Sequence, residues 1–300
     1  MTYRQTRRRF LEKAAFAGLA GCAVRPAAMM AAGDVPPYYQ DRGWLVGCWT
    51  RPWANYDYRV GFDAVAEAGF KYVALTGAKT RTGRIIGVKT TRQEAVKVGE
   101  EAHQRGLSIT VVYGGAVPLE KGPEKLRRMI DLCQAAGGWS VQLAHIGTEN
   151  SYLECLNNVA ACCDYAASKK IVLLLKPHGG TTGTGPQLRD AVRRVNHPSF
   201  TLMYDPGNIY FYSKGRIDPV DDCQSVLGLV TGMSVKDYRD NEVMLTPGMG
   251  QVRFSQLMKK LRQGGFTHGP MMIECLTPGN LKQTLTEAKK PKAFIEELVS

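Results

Sequence analysis

The chain has 300 residues, of which 44% are hydrophobic and 22% are charged, and this composition excludes a disordered or fibrous protein. Its formal net charge is +12, but six basic residues and one glutamate within positions 1–33 account for +5, which leaves +7 for the remainder. Those charges form no long basic run and do not alternate with aromatic residues, so we expect no nucleic-acid partner. The length suits a single α/β barrel, which typically has about 250 residues.

The first 33 residues have the features of an export signal. Positions 6–13 read Thr-Arg-Arg-Arg-Phe-Leu-Glu-Lys, a twin-arginine pattern, and the uncharged run at 14–24 is shorter than the ~20 residues of a membrane span. Positions 19–22 resemble a lipobox, in which Cys22 would be lipidated; an ordinary signal cut within 27–32 is the alternative. We therefore expect a protein of the periplasm or cell envelope, with at most a lipid anchor in the membrane and a tether at 34–43.

The sequence lacks the cysteine motifs of zinc and redox sites and the glycine motifs of nucleotide-binding loops. None of the eight cysteines has the two-residue spacing of a zinc or thioredoxin motif. Because proteins exported by the twin-arginine route fold before they cross, we expect buried and reduced thiols. The glycine patterns of dinucleotide-binding and phosphate-binding loops are also lacking, so we expect no nucleotide cofactor.

From residue 44 onward, strand-like and helix-like segments alternate eight times. Runs of β-branched and apolar residues predict strands at 44–50, 70–76, 107–113, 139–146, 171–176, 200–204, 229–235 and 271–274. Amphipathic patterns predict helices at 58–68, 92–105, 124–136, 152–168, 186–195, 220–226, 254–263 and 281–298. Eight such units predict a single-domain (β/α)8 TIM barrel over 44–300, with an open doubly wound sheet as the alternative.

Polar residues follow most of the predicted strands, where a parallel barrel builds its site. The segment at 171–180 is the clearest case, because five apolar residues are followed by Lys176 and His178. The remaining polar candidates are Arg51, His145, Asp205, Asn208, Ser234, Lys236, Asp237 and Glu274. Trp49, Trp53 and Tyr56 are aromatic candidates, either as stacking surfaces for a sugar or as packing at the barrel rim.

Four short motifs together resemble the xylose isomerase-like barrel family, which includes the sugar (phosphate) isomerases and epimerases. They are Met-Tyr-Asp-Pro-Gly-Asn at 203–208, Ser-Val-Lys-Asp at 234–237, Pro-Gly-Met-Gly at 247–250 and Ile-Glu at 273–274. The resemblance implies a divalent metal (Mn, Mg, Zn or Co) held by residues of strands five to eight. Asp205 and Glu274 match two ligand positions, but Lys176 stands in place of a glutamate and Ser234 in place of a histidine.

These two replacements lead to the main hypothesis. The Lys176 ammonium would compensate Asp205 and Glu274 in place of the metal, so the metal site would be weak or empty. Proton abstraction next to a sugar carbonyl would then use Lys176, His178 and Glu274, the last as acid or base. The expected contacts to a small carbohydrate are Trp49, Arg51, His145, Asn208, Lys236 and Asp237.

Two other functions fit the same residues. A barrel of this kind could bind a carbohydrate without catalysis, or it could act as a lyase or hydrolase on a keto-glycoside. The sequence does not distinguish a phosphorylated sugar from an unphosphorylated one. It also leaves the oligomeric state open.

Overall fold

A computed structural model describes residues 43–300, and within this range eight parallel strands close into a barrel. Each strand pairs with its neighbours in sequence, and the last pairs with the first. The strands are β1 (Trp44–Trp49), β2 (Tyr72–Leu75), β3 (Ser108–Gly115), β4 (Ser140–Leu143), β5 (Val172–Leu175), β6 (Phe200–Tyr204), β7 (Val230–Val235) and β8 (Gly269–Ile273). The predicted single-domain TIM barrel is confirmed, and the open sheet is wrong.

Helices surround the strands near the predicted places. They are α1 (Tyr58–Glu67), α2 (Arg92–His103), α3 (Gly122–Ala135), α4 (Tyr152–Ser168), α5 (Gly185–Val195), α6 (Pro206–Ser213), α7 (Pro219–Asp222), α8 (Phe254–Gln263) and α9 (Leu281–Val299). The helix predicted at 220–226 is instead α7 followed by a 3-10 turn at Cys223–Val226. Three short elements, α6, α7 and this turn, therefore connect β6 to β7.

Helix α6 is absent from the sequence prediction. It begins with Pro206 after Asp205, whose Oδ1 accepts from the backbone N–H of Asn208 at 2.9 Å and so caps the helix. Because the helix is apolar or aromatic almost all round, no amphipathic period reveals it, and its Pro-Gly-Asn start reads as a turn.

The period of two along each strand decides which side chains enter the barrel. In β5, Val172 and Leu174 belong to the small cluster that fills the barrel interior, so Lys176, two residues further, continues the inward face. The same holds in β6, where Met203 is interior and Asp205 follows two residues later. Charged groups therefore line the carboxyl end of the barrel, next to the apolar residues that fill its interior.

Several predictions concern the remaining residues and the cysteines. The signal peptide at 1–33 with its Cys22 lipobox, and the tether at 34–43 except for Gly43, lie outside the described residues. All seven cysteines within residues 43–300 are buried free thiols, as predicted. In the same range, no helix combines the length and apolar character that a bilayer crossing requires.

Candidate active site

Five charged side chains meet at the carboxyl end of the barrel, and we call them the ion cluster: Arg51, Lys176, Asp205, Lys236 and Glu274. Lys176, Asp205 and Glu274 directly follow β5, β6 and β8, Lys236 directly follows β7, and Arg51 begins a 3-10 turn after β1. Active sites of (β/α)8 barrels lie at this end of the strands.

The two ammonium groups of the ion cluster share the same pair of carboxylates. Lys176 Nζ lies 2.6 Å from Asp205 Oδ2 and also contacts Glu274 Oε2. Lys236 Nζ lies 2.6 Å from Glu274 Oε1 and 3.3 Å from Asp205 Oδ2. Both lysine side chains are only 2% exposed. Together they place a charge of +2 between two carboxylates, which is the charge of a divalent cation.

Glu274 is held by four donors. Besides the two lysines, Arg51 Nη1 donates to its Oε1 and Ser234 Oγ donates to its Oε2, each at 2.5 Å. Burial alone would raise the pKa of Glu274, but the charges of Lys176, Lys236 and Arg51 outweigh it and hold that pKa well below the usual range. A carboxylate with a low pKa and occupied oxygens is a poor proton acceptor. The predicted role of Glu274 as acid or base stays a prediction.

The divalent metal that the family resemblance implies does not fit the residues as arranged. Asp205 Oδ2 accepts from Lys176 and lies 3.3 Å from Lys236 Nζ, and its Oδ1 accepts from the backbone of Asn208. A metal would have to lie about 2.0–2.6 Å from these oxygens, where ammonium nitrogens already donate, and the like charges would repel it. Across residues 43–300, no group of three or more His, Cys, Asp or Glu has the proximity of a metal site.

His178 lies beside the ion cluster without an ion pair. Its ring is 6.5 Å from that of His145 and 5.4 Å from that of Tyr212, and its Nδ1 has no hydrogen-bond partner among residues 43–300. Burial, assisted by the charges of Lys176 and Lys236, lowers the pKa of His178 to about 4. The imidazole is therefore neutral at physiological pH, with a nitrogen free to accept or donate a proton.

Asn208 and Lys236 were both predicted to contact substrate, and the structure joins them to each other. Asn208 is 3% exposed, its Nδ2 donates to the Pro177 carbonyl at 2.7 Å, and its Oδ1 accepts from Lys236 Nζ at 3.1 Å. Burial lowers the pKa of Lys236, but Asp205 and Glu274 outweigh that effect and raise it overall, so the side chain stays charged. Asn208 thus positions Lys236, and its predicted contact with substrate stays a prediction.

Asp237 is held by backbone donors of the loop after β7, and its predicted substrate contact stays a prediction. Its side chain is fully buried, and its two oxygens accept from the backbone N–H groups of Tyr238, Gly248, Gly250 and Val252 at 2.8–3.1 Å. A Cβ at Gly250 would lie 2.3 Å from Asp237 Oδ1, so only glycine allows this approach. The carboxylate therefore fixes the loop after β7.

The aromatic candidates pack inside the protein. Trp49 is 1% exposed and belongs to the interior cluster of the barrel, and Trp53 is also 1% exposed within the outer core. Both side chains therefore pack within the protein, and the predicted sugar contact of Trp49 stays a prediction. Tyr56 is 39% exposed. Arg51, with 38% of its side chain exposed, connects the ion cluster to solvent, and His145 stacks on His178, so both remain predicted substrate contacts.

Other residues at this end escaped the sequence analysis. Tyr212 lies on α6 against His178, and the guanidinium of Arg84 lies 4.2 Å above the ring of Tyr113. Recognition of α6 as a helix would have placed Tyr212 at the site. The Arg84 contact depends on the course of the β2–α2 connection, for which the sequence carries no signal.

A cavity of about 910 Å³, which we call the side cavity, opens next to His178. It lies between the β4–α4 and β5–α5 connections, at the same end of the barrel as the ion cluster. Its wall includes His145, Glu149, Tyr152, His178, Gln187 and Asp190. His178 therefore borders both the ion cluster and the side cavity.

Comparison with solved structures shows the same fold. The chain resembles a xylose isomerase domain protein from Planctomyces limnophilus (18% identity, TM-score 0.67, covering 85% of this chain and 97% of that one). It also resembles a D-psicose 3-epimerase with D-tagatose from Clostridium cellulolyticum H10 (13%, 0.67, 85% and 99%). A third is a D-allulose 3-epimerase from Methylomonas sp. in complex with D-allulose (17%, 0.66, 85% and 97%). Identities this low establish the fold alone.

Comparison of the amino-acid sequence with known families identifies the family of this chain. No curated protein matches the chain. The sequence model of the family described as "Xylose isomerase-like TIM barrel" matches residues 62–298. The matched range includes every strand after β1 and all members of the ion cluster except Arg51. The chain belongs to the xylose isomerase-like TIM barrel family.

Proposed function

We propose that this protein is an isomerase or epimerase-like enzyme that moves protons next to the carbonyl of a carbohydrate, with two ammonium groups in place of a divalent metal. The observation that carries the proposal is the joint contact of Lys176 and Lys236 with Asp205 and Glu274. Similarity of the fold to sugar epimerases supports the substrate class.

The ion cluster would stabilise charge that develops on substrate oxygens. Removal of a proton beside a carbonyl places negative charge on the carbonyl oxygen, and fixed N–H donors in a water-poor site stabilise such charge strongly. Lys176, Lys236 and Arg51 carry three positive charges against the two negative charges of Asp205 and Glu274. The remaining positive charge suits an enediolate-like transition state.

His178 is the best placed group for the proton transfer. It is neutral, it lies beside the ion cluster, and its Nδ1 lacks a partner among residues 43–300. Charge on a bound enediolate would raise its pKa from about 4 toward neutrality, since opposite charge favours the imidazolium. This assignment replaces Glu274, which we propose to be an anchor for the cationic groups.

Hydrogen exchange with solvent tests the proposal without knowledge of the product. The purified full chain is incubated in D2O with EDTA and with D-fructose, D-allulose or D-tagatose, and deuterium at the carbons next to the carbonyl is measured by NMR. We expect exchange with at least one sugar. His178→Gln should slow it by about 10²–10⁴-fold, the usual contribution of a general acid or base.

A matched control is His268→Gln, at the opposite end of β8 from Glu274. It should leave exchange within about twofold of the parent, because its ring lies away from the ion cluster. Binding of all three sugars without exchange would favour the carbohydrate-binding barrel. Exchange that EDTA abolishes and Mn²⁺ restores would overturn the metal-free mechanism.

We also propose export through the twin-arginine pathway, as the motif at 6–13 indicates. The test is fractionation of cells that express the parent or the Arg7→Lys, Arg8→Lys double variant. The parent should reach the periplasm or envelope, and the variant should stay in the cytoplasm. Equal distribution of the two would refute this route, and a Cys22→Ser variant that remains membrane-bound would refute the lipid anchor.

A further inference from the structure

We infer that the side cavity is a binding site for a second sugar ring, so that the protein prefers a glycosylated sugar to a free monosaccharide. This inference rests on the proposed function, because it places the reacting sugar at the ion cluster. It identifies a site that the family resemblance does not imply and a narrower class of substrate.

The size and position of the side cavity carry the first step. Ligand pockets usually have volumes of about 300–1,000 Å³, and this one has about 910 Å³. None of the ion cluster residues forms its wall, but His145 and His178 do. A sugar whose reacting carbon lies at His178 would therefore leave the cavity empty unless it carried another group on that side.

The polar groups in the wall suit hydroxyl groups. Asp190 Oδ2 accepts from Tyr152 at 3.0 Å and from Arg194 at 2.7 Å, while its Oδ1 has no hydrogen bond within the described range. Gln187 Oε1 accepts from the backbone of Gly183 and Thr184, which orients the amide nitrogen away from them. Free carboxylate oxygens and amide N–H groups are suitable partners for sugar hydroxyls, and the Tyr152 ring adds an apolar face.

The charge of the wall selects a neutral ligand. Glu149 and Asp190 are acidic, and only His145 and His178 are basic in type. His178 is neutral because its pKa is about 4. An anionic group would be repelled here, whereas the excess positive charge lies at the ion cluster. The geometry thus separates a cationic reaction centre from an acidic, hydroxyl-binding side cavity.

The backbone under the side cavity is fixed before any ligand arrives. Thr181 Oγ1 donates to the Ile146 carbonyl at 2.5 Å, which joins the two connections that form the cavity. Gly147 and Gly179 have positive φ values, and a Cβ at either position would collide with Ser151 Oγ at 2.5 Å or the Tyr212 ring at 2.6 Å. Preorganised walls of this kind reduce the entropic cost of binding.

The test compares one ketose with its glucosylated forms. D-fructose and its 1-O-, 3-O-, 4-O- and 6-O-glucosides (trehalulose, turanose, maltulose and isomaltulose) are titrated into the full chain by calorimetry. We expect at least one disaccharide to bind about 10-fold or more tightly than fructose. Pro186→Trp, which fills the side cavity from its edge, and Tyr152→Ala should reduce that affinity ratio to about 1.

The matched control is Ser255→Trp, which adds the same side chain to a separate cavity beside α8. It should keep the affinity ratio between the disaccharide and fructose. Solvent exchange measured on the same sugars separates the two claims. If fructose binds and exchanges but no disaccharide is preferred, or if the preference survives both variants, the inference is wrong and the proposed function stands. If none of the five sugars binds, the inference is wrong, and exchange with D-allulose or D-tagatose decides the proposed function.

Discussion

Two buried carboxylates at the mouth of the barrel, Glu274 and Asp237, differ in what holds them. Glu274 accepts from the ammonium groups of Lys176 and Lys236, the guanidinium of Arg51 and the hydroxyl of Ser234. Asp237 accepts from four backbone N–H groups of the loop that follows β7. Both oxygens of each carboxylate accept hydrogen bonds, but only Glu274 accepts them from side chains.

This difference separates a chemical site from an architectural one. Side chains can rotate and exchange a carboxylate oxygen for a substrate oxygen at little cost to the backbone, whereas backbone N–H groups move only with the loop. The charges around Glu274 also act on neighbours such as His178, whereas peptide dipoles act mainly within the loop they belong to. We therefore expect changes at the ion cluster to alter chemistry and stability together, and changes at Asp237 to alter stability alone.

Loss of one ammonium group should produce the largest effect. Lys176→Met leaves Asp205 and Glu274 short of a partner in a nearly dry site, and breaking a buried pair in this way typically costs about 3–5 kcal/mol. Denaturant unfolding measures the change. Lys289→Met, at the exposed contact with Glu67, is the control and should cost less than about 0.5 kcal/mol. Equal losses of unfolding free energy in the two variants would show that Lys176 does not form buried ion pairs.

Asp237→Asn should destabilise the fold by about 2–3 kcal/mol, because the amide group of asparagine would face two of the four N–H donors. Asp240→Asn, at an exposed turn position with φ of 50°, is the control and should be nearly neutral. Folded Asp237→Asn protein should keep the pKa of His178 within about 0.3 of the parent value, since no ionic partner of the ring changes. A larger shift would contradict the separation of the two sites.

The titration of His178 reports its burial and, to a smaller extent, the positive charges of Lys176 and Lys236. NMR should give a pKa of about 4 in the parent, and Lys236→Met should raise that pKa toward 6.5 by removing a positive charge. Because the folded pKa lies below the unfolded value, the unfolded chain takes up the proton first. His178 therefore lowers stability progressively as the pH falls from 6.5 to about 4, and His178→Gln should flatten this part of the curve. A pKa near 6.5 in both proteins would contradict the account.

Ser234→Ala should have the smallest effect. It removes one hydrogen bond to a carboxylate that keeps three charged donors, so we expect a loss of about 1–2 kcal/mol in unfolding free energy. The control is Ser168→Ala at an exposed helix end, with an expected change below about 0.5 kcal/mol. A gain of stability at Ser234 would mean that the hydroxyl does not donate to Glu274.

The alternation of inward and outward side chains along each strand predicts the positions of several residues of the site. Lys176 follows two inward residues of a buried strand, which was enough to place it inside the barrel mouth near Asp205 and Glu274. The same spacing of two joins Ser234 to Lys236, and it could have identified the second ammonium group.

The remaining roles depend on loop closure, which a strand pattern does not contain. Asp237 meets Gly248 and Gly250, 11 and 13 residues later, only because the loop folds back over the barrel end. Asn208 reaches Lys236 through helix α6, whose apolar surface hid it from the periodicity argument. Trp49 continues the inward face of β1, so its position in the interior follows from alternation, but its near-complete burial depends on neighbours from several strands.

The most direct test of the central claim is the metal content of the purified full chain, determined by mass spectrometry and compared with a variant that restores the ligands. Because Lys236 also occupies the carboxylates, the variant is Lys176→Glu, Ser234→His, Lys236→Met. We predict less than about 0.1 divalent ion per parent chain and about one ion per variant chain, as the restored set of carboxylates and imidazole favours. One tightly bound ion in the parent, with Asp205 and Glu274 among its ligands, would contradict the account.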